Sequence, residues 1–264
     1  MERRRSVMLF DREEVMTEFQ NYVKKYNQED ERIRLKIEHT YRVARLCEQI
    51  AESLSLTKEK IELAWLIGML HDIGRFEQLK NYRTFIDSES INHAEYGVHL
   101  LFEQGMIRTF CKDSRYDALI QASIFYHNAY RLPKNLEQET KFFCDLLRDA
   151  DKIDILKVSV DIPLQTIYDV SDSQMKQAVI TPEVMENFFE HHAINHKLKK
   201  SPIDHIIGHI SLVFELVYPI SLTIVEEQGY LRQMLNFQTE NATTQKQLWL
   251  LKQDMQNYIA LKSL

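Results

Sequence analysis

Apolar residues recur every three or four positions over several long segments of this chain. In the segment 32–54 they fall on one stripe when successive residues are turned by about 100°. We predict further helices at about 11–26, 91–105, 114–127 and 136–156. The alternating pattern of a β-strand is scarce, and only 6 Gly and 5 Pro interrupt the chain. The pattern therefore predicts an all-α protein.

One segment is apolar on nearly every side. It runs from Ile61 to Leu70 and ends at two adjacent polar residues, His71 and Asp72. Because an unpaired carboxylate in apolar surroundings costs several kcal/mol, Asp72 needs a cation or a set of hydrogen bonds. Imidazole and carboxylate are ligands of divalent zinc, iron, manganese and nickel. The alternative for the dipeptide is a core histidine beside a helix end, with Gly74 as a left-handed stop.

Three further histidines lie on or at the ends of predicted helices. His39 shares a stripe with Val43 and Leu46 in the helix at 32–54. His93 lies near the start of the helix at 91–105, and His127 ends the helix at 114–127. Considered singly, such a histidine is more often a core residue than a ligand, so the pattern alone leaves both interpretations open.

The helix at 136–156 carries four aspartates, which its apolar face sorts into two pairs. Asp145 and Asp149 turn away from that face, and we expect them to be solvated. Asp151 and Asp154 turn toward it. We expect one of these two to be structural.

Taken in chain order, these residues resemble the HD superfamily of metal-dependent phosphohydrolases. The segment from His71 to Arg75 is close to the HDIG form of the family motif, and 150–153 resembles its Ala-Asp-Lys/Arg-Leu segment. The resemblance covers 32–156 and selects Asp151 over Asp154. It implies an HD helical-bundle core. The ligands that it implies for a first metal ion are His39, His71, Asp72 and Asp151.

Relatives with two metal ions have additional histidines before the last aspartate. His93, in a His-x-x-x-Gly segment that ends at Gly97, is similar to the first of these, and His127 resembles the next. Some relatives have two consecutive histidines there, whereas Asn128 follows His127 in this chain. We therefore expect two divalent ions (Mn, Fe, Zn, Ni or Mg), with Asp72 as the bridging and catalytic carboxylate.

The resemblance implies hydrolysis of a nucleotide or another small phosphate ester. Such reactions need accelerations of up to about 10²¹-fold, whereas a general base supplies roughly 10²- to 10⁴-fold. Metal ions must therefore provide most of the catalysis. Arg75, one turn beyond the His-Asp pair, could bind a phosphate through a bidentate contact or could be a surface arginine. Arg131 and Lys152 are weaker candidates for the same role.

Two other functions are compatible with these predicted ligands. Some HD relatives use it with iron to activate oxygen, so a di-iron oxygenase is one alternative. The other is a non-catalytic nucleotide-binding or regulatory module. The complete set of inward polar residues argues against that module, because an idle site has no need of them.

The amino-acid composition argues against some classes of binding partner. The 33 Lys and Arg residues against 39 Asp and Glu give a net charge of −6, which argues against stable nucleic-acid binding. No window reaches the roughly 18 apolar residues of a membrane span. Cys47, Cys111 and Cys144 lack the CxxC spacing, and we expect buried thiols. We expect a cytoplasmic protein that binds a small phosphorylated substrate and no membrane.

We predict three segments along the chain. Residues 1–30 form an N-terminal helix that packs on the core, residues 31–158 form the HD metal-binding core, and residues 159–264 form a C-terminal helical extension. The amphipathic tail at 241–264 could cover the core or form the interface of a homodimer. We expect a polar loop at 77–90 to line the mouth of the site and, with the extension, to set substrate choice.

Overall fold

A computed structural model describes residues 9–162 and 170–262 of the chain, and the regular secondary structure in these ranges is helical, without strands. The all-α prediction is confirmed. The chain divides between Ala150 and Asp151 into two compact units. Residues 1–8, 163–169 and 263–264 lie outside the described ranges, and the division into three segments stays a prediction. None of the described helices has the length and apolar character needed to cross a bilayer.

The first unit contains the four predicted histidines, which lie in helices or directly after them. A π-helical segment, His99–Glu103, continues α5, and a 3-10 turn, Asp87–Glu89, lies between α4 and α5. The helices are α1 (Arg12–Val23), α2 (Glu31–Ser53), α3 (Lys58–Leu70), α4 (Ile73–Tyr82), α5 (His93–Val98), α6 (Ile107–Phe110), α7 (Asp117–Tyr126) and the first half of α8 (Gln138–Asp161).

Short polar side chains fix the starts of these helices. The carboxylates of Asp11 and Asp30 and the Thr57 hydroxyl accept hydrogen bonds from the first-turn N–H groups of α1, α2 and α3. Asn92 does the same for α5. Each such cap is worth about 1 kcal/mol. The cap at Asn92 matters for the site because α5 begins at His93.

Helix α3 is the buried segment that the apolar run predicts. Every residue from Leu63 to Leu70 is buried. The helix packs closely on α2, and a Cβ atom added at Gly68 would lie 2.6 Å from the Cα atom of Ala44. A glycine is therefore needed for this separation of the two helices.

Two expectations about polar positions are wrong. The predicted loop at 77–90 is helical as far as Tyr82, and Gln78 in that stretch is fully buried. Asp145 and Asp149 are also buried rather than solvated. Helix α8 is buried on all sides from Phe143 to Ala150. Apolar periodicity separates buried from exposed positions only when one face of a helix is exposed, so it could not place these aspartates. The predicted burial of the three cysteines is confirmed.

The second unit contains the rest of α8 and six further described helices. Asp204 connects two of its segments, because its carboxylate accepts hydrogen bonds from the main-chain N–H and hydroxyl of Thr181 and from two N–H groups before α11. In the last helix Leu248, Leu251 and Met255 are buried, while Trp249 is 61% exposed. The helices are α9 (Asp172–Gln177), α10 (Pro182–Phe188), α11 (Ile203–Ile210), α12 (Pro219–Gln228), α13 (Tyr230–Leu235) and α14 (Ala242–Lys262).

We predict that the close approach of α4 and α5 tolerates a methyl group at one glycine and not at the other. A Cβ atom at Gly74 would overlap the main-chain oxygen of His93 and lie 2.7 Å from the Gly97 nitrogen. Because main-chain atoms cannot move alone, Gly74→Ala should lower the free energy of unfolding in urea by about 1–3 kcal/mol.

Gly97→Ala is the matched control on the opposite side of the same contact. Its Cβ atom would lie 3.3 Å from a methyl group of Ile73, which can shift. Alanine also favours a helix interior by up to about 1 kcal/mol over glycine. Gly97→Ala should therefore stay within about 1 kcal/mol of the parent protein. Equal losses in the two variants would contradict this account.

Candidate metal centre

The His-Asp pair lies at the junction of two helices. His71 follows the last residue of α3, and Asp72 precedes the first residue of α4. Both side chains are buried. The Tyr22 hydroxyl donates a hydrogen bond to the carbonyl oxygen of Ile73 and so ties α1 to this junction. The structure therefore places a carboxylate in the apolar interior, as the sequence predicts.

Each oxygen of the Asp72 carboxylate faces a different pair of histidines. Oδ2 lies 3.5 Å from Nε2 of His39 and 3.6 Å from Nε2 of His71. Oδ1 lies 3.5 Å from Nε2 of His93 and 3.6 Å from Nε2 of His127. All four histidines are buried. The Asp72 carboxylate therefore lies between two pairs of buried imidazole rings.

The hydrogen bonds of Nδ1, the ring nitrogen remote from Asp72, determine the tautomers of His71 and His127. Nδ1 of His71 lies 2.7 Å from the carbonyl oxygen of Gly68, and Nδ1 of His127 lies 2.7 Å from that of Ile124. A carbonyl oxygen can only accept, so each Nδ1 must carry the hydrogen. In the neutral ring, Nε2 then presents a lone pair toward Asp72.

Nδ1 of His93 also carries a hydrogen, because it lies 2.8 Å from Oδ2 of Asp87 and an ionised carboxylate can only accept. Burial lowers the pKa of His93 to about 3, helped by the charge of Arg75 and opposed by the Asp87 hydrogen bond, so its ring is neutral near pH 7. Its Nε2 lies 3.0 Å from Nε2 of His127. Two lone pairs at that distance repel each other. A cation between them would relieve the repulsion.

The six predicted ligands form two groups that suit such cations. His39, His71 and Asp151 each offer a ligand atom, and these atoms lie within 4.8 Å of one another. His71, Asp72 and His127 form a second group of the same kind. His93 joins the second group through its contacts with Asp72 and His127. Neutral imidazoles and carboxylates are the donor set of divalent transition metals, so these residues fit metal ions.

A comparison with protein families agrees with this geometry. The family model of the HD domain matches residues 37–160. This part of the chain is an HD domain. No significant match was found among curated proteins or among solved structures. The HD domain belongs to a superfamily of metal-dependent hydrolases, and the matched range includes all six predicted ligands of this chain.

The HD domain places one cationic side chain beside each oxygen of Asp72. The Lys36 ammonium lies 2.6 Å from Oδ2, and Nε of Arg75 lies 3.6 Å from Oδ1. Burial alone would raise the pKa of Asp72. The charge of Lys36, together with the neighbouring rings of His71, His127 and His39, outweighs burial and holds that pKa well below its usual range. Asp72 is therefore an anion and can bind a metal ion without first losing a proton.

Arg75 is held in place by the connection between α4 and α5. Its Nη1 donates hydrogen bonds to the carbonyl oxygen of Phe85 and to the side chains of Gln78 and Asp87. Its Nε is buried and has no hydrogen-bond partner among the described residues. The orphaned N–H lies next to Asp72, a predicted metal ligand, where it can donate to an oxygen atom of a bound molecule.

The other two residues predicted to bind substrate lie in different surroundings. Arg131 is exposed, and its guanidinium stacks on the ring of Tyr130. Lys152 is buried in α8, next to Asp151. The phosphate contacts proposed for Arg131 and Lys152 stay predictions.

Sequence reasoning missed three residues that support the ligands. Lys36 lies one helical turn before His39, so the i, i+3 spacing could have found it. Asp87 bonds His93 from the 3-10 turn, where no periodicity points to it. The Arg148 guanidinium donates to the carbonyl oxygens of Tyr126, His127 and Ala129 at the end of α7 and so fixes the position of His127.

We predict that Lys36 is the counter-ion of Asp72 in the metal-free protein. Lys36→Met removes the charge and keeps the length of the side chain. Without added metal it should lower the free energy of unfolding by about 2 kcal/mol, less than the roughly 3–5 kcal/mol of a fully buried pair because Lys36 is partly exposed. Added Mn²⁺ should stabilise the variant more than the parent, since a competing cation is gone.

Urea unfolding with and without Mn²⁺ measures both effects. Lys60→Met is the matched control, because Lys60 pairs with Glu139 and both side chains are more than a third exposed. It should cost less than about 1 kcal/mol and leave the effect of Mn²⁺ unchanged. The counter-ion role of Lys36 is refuted if Lys36→Met and Lys60→Met change the free energy of unfolding, and its response to Mn²⁺, by the same amount.

Proposed function

We propose that this HD-domain protein is a binuclear metal-dependent phosphohydrolase that cleaves a nucleotide or another small phosphate ester. The observation that carries the proposal is the Asp72 carboxylate, whose two oxygens face separate pairs of buried histidines. A structural histidine cluster has no need of a central anion between two pairs of imidazole rings. A pair of cations does.

We assign the ligands to two positions. His39, His71 and Asp151 would hold the first ion, and His93 and His127 would hold the second, with Asp72 shared between them. Divalent Mn, Fe, Zn, Ni or Mg bound there would lower the pKa of a coordinated water and neutralise charge on phosphoryl oxygens. In their neutral forms, His71, His93 and His127 would bind these ions through the Nε2 lone pairs, since their Nδ1 atoms carry the hydrogens.

The side chains around Asp72 favour an anionic substrate. The orphaned Nε–H of Arg75 could donate to a phosphoryl oxygen near the second position, while Phe85, Gln78 and Asp87 keep its guanidinium in place. Lys36 could contact the substrate near the first position once an ion displaces it from Asp72. These two cations favour a phosphate ester over an uncharged substrate.

We propose a small molecule as the partner of this site. The net charge of −6 disfavours a nucleic acid, and the site is buried among helix ends. Arg131 and Lys152 are proposed as additional phosphate contacts. A homodimer through α14 is also a proposal, based on its amphipathic pattern and the exposed Trp249.

The test combines metal analysis with phosphate release. The purified parent chain should contain about two divalent ions, and in Mn²⁺ it should release phosphate from at least one member of a panel of nucleoside mono-, di- and triphosphates. Asp72→Ala should lose the bridging ligand, most of the metal and the release. Asp117→Ala, which breaks an ion pair with Arg108 that is about one-third exposed, should keep both.

The possible outcomes separate the candidate functions. A parent chain without metal, or phosphate release that Asp72→Ala leaves unchanged, would refute the proposal. Bound iron with oxygen consumption and no phosphate release would favour the oxygenase. Circular dichroism of Asp72→Ala checks that the variant has kept its helices.

A further inference from the structure

The histidine ligands differ in what holds their rings. His71 and His127 donate their Nδ1 hydrogens to carbonyl oxygens three residues earlier, in the helices that they directly follow. His93 instead donates to Asp87, whose oxygens lie 2.8 and 2.9 Å from its Nδ1. Asp87 belongs to the 3-10 turn between α4 and α5. The orientation of His93 therefore depends on a side chain outside its helix.

Asp87 is itself fixed by three other side chains. Oδ1 accepts hydrogen bonds from Nη1 of Arg75 at 3.0 Å and from Nε2 of Gln78 at 2.8 Å. Oδ2 accepts one from Nδ2 of Asn128 at 3.1 Å. Gln78 is fully buried, and its amide also donates to Ser90 and to the Ile91 carbonyl oxygen. The carboxylate is held from several directions although it lies in a connecting segment.

Asn128 joins this network to the second histidine of the pair. It directly follows His127, and its amide donates both to Asp87 and, at 2.9 Å, to Oδ1 of Asn92. Asn92 caps the helix that begins at His93. One amide therefore links the residue after His127, the cap before His93 and the carboxylate that holds the His93 ring.

We propose that Asp87 is a positioning residue that sets the metal affinity of the His93–His127 position. This inference rests on the binuclear site proposed above. A carboxylate that accepts the Nδ1–H of a ligating histidine fixes its tautomer and raises the basicity of Nε2, and its loss costs about 10- to 100-fold in metal affinity. His71 at the first position depends on the Gly68 carbonyl instead, so the two positions respond separately to a change at Asp87.

The test is a titration of the metal-free full-length chain with Co²⁺, followed by its visible absorption, and with Mn²⁺, followed by its electron paramagnetic resonance. The parent should bind two ions. Asp87→Ala should bind one ion with parental affinity and the second about 10- to 100-fold more weakly. Asp87→Asn keeps an oxygen that can accept the Nδ1–H but loses the charge, so its second ion should bind with intermediate affinity.

Two control variants separate positioning from general stability. Ser90→Ala removes hydrogen bonds to Gln78 and Ile86 from the same segment and leaves the bond between Asp87 and His93 in place. Asp117→Ala removes a carboxylate that is 31% exposed, as that of Asp87 is, but that pairs with Arg108. Both variants should bind two ions as the parent does.

The outcomes distinguish this inference from the proposed function. Parental affinity for both ions in Asp87→Ala would overturn the inference and leave the binuclear site intact. Equal weakening in Ser90→Ala would also overturn it, because the effect would then come from the loop and not from the bond to His93. A parent chain that binds no metal would refute the proposed function itself. If Asp87→Ala does not fold, the near-isosteric Asp87→Asn decides.

Discussion

The structure of the HD domain depends on one buried carboxylate. Asp72 lies between two helices in the apolar interior, where a free anion would be prohibitively unstable. Four histidines, Lys36 and Arg75 surround it. The Nδ1 hydrogen bonds turn Nε2 of His71, His93 and His127 toward Asp72, and Lys36, 2.6 Å from Oδ2, provides the nearest permanent positive charge. Helix packing that buries Asp72 therefore requires a cation beside it.

The helices meet this requirement through close approaches that only small residues allow. Gly68 brings α3 against α2, and Gly74 brings α4 against the start of α5. The first approach sets His71 near His39, and the second sets Asp72 near His93. Because a ligand set of this kind tolerates displacements of only tenths of an ångström, the glycines of the apolar run and of the His-Asp motif belong to the site as much as the ligands do.

The sequence predicted those site residues whose burial follows from the apolar pattern of their own segment. The apolar run before His71 required burial, and His39 followed from the stripe of one helix. The aspartates of α8 could not be sorted in this way, because Asp149 lies in a stretch that is buried on every side. The sequence did not point to Asp87, because an aspartate in a polar segment between two helices is ordinarily solvated. Its importance comes from a contact with His93 that only the folded chain creates.

The charge balance around Asp72 favours the substrate class that we propose. The charged side chains that contact Asp72, hold the His93 ring or share a candidate ligand group with His39 and His71 comprise two cations and three anions, with one net negative charge: Lys36, Arg75, Asp72, Asp87 and Asp151. Two divalent ions would change this to three positive charges in a region of low dielectric, where excess charge of one sign is unfavourable. A phosphate ester dianion removes two of them, and dioxygen removes none. If two ions bind as we propose, this charge balance favours a phosphate ester over dioxygen as the substrate.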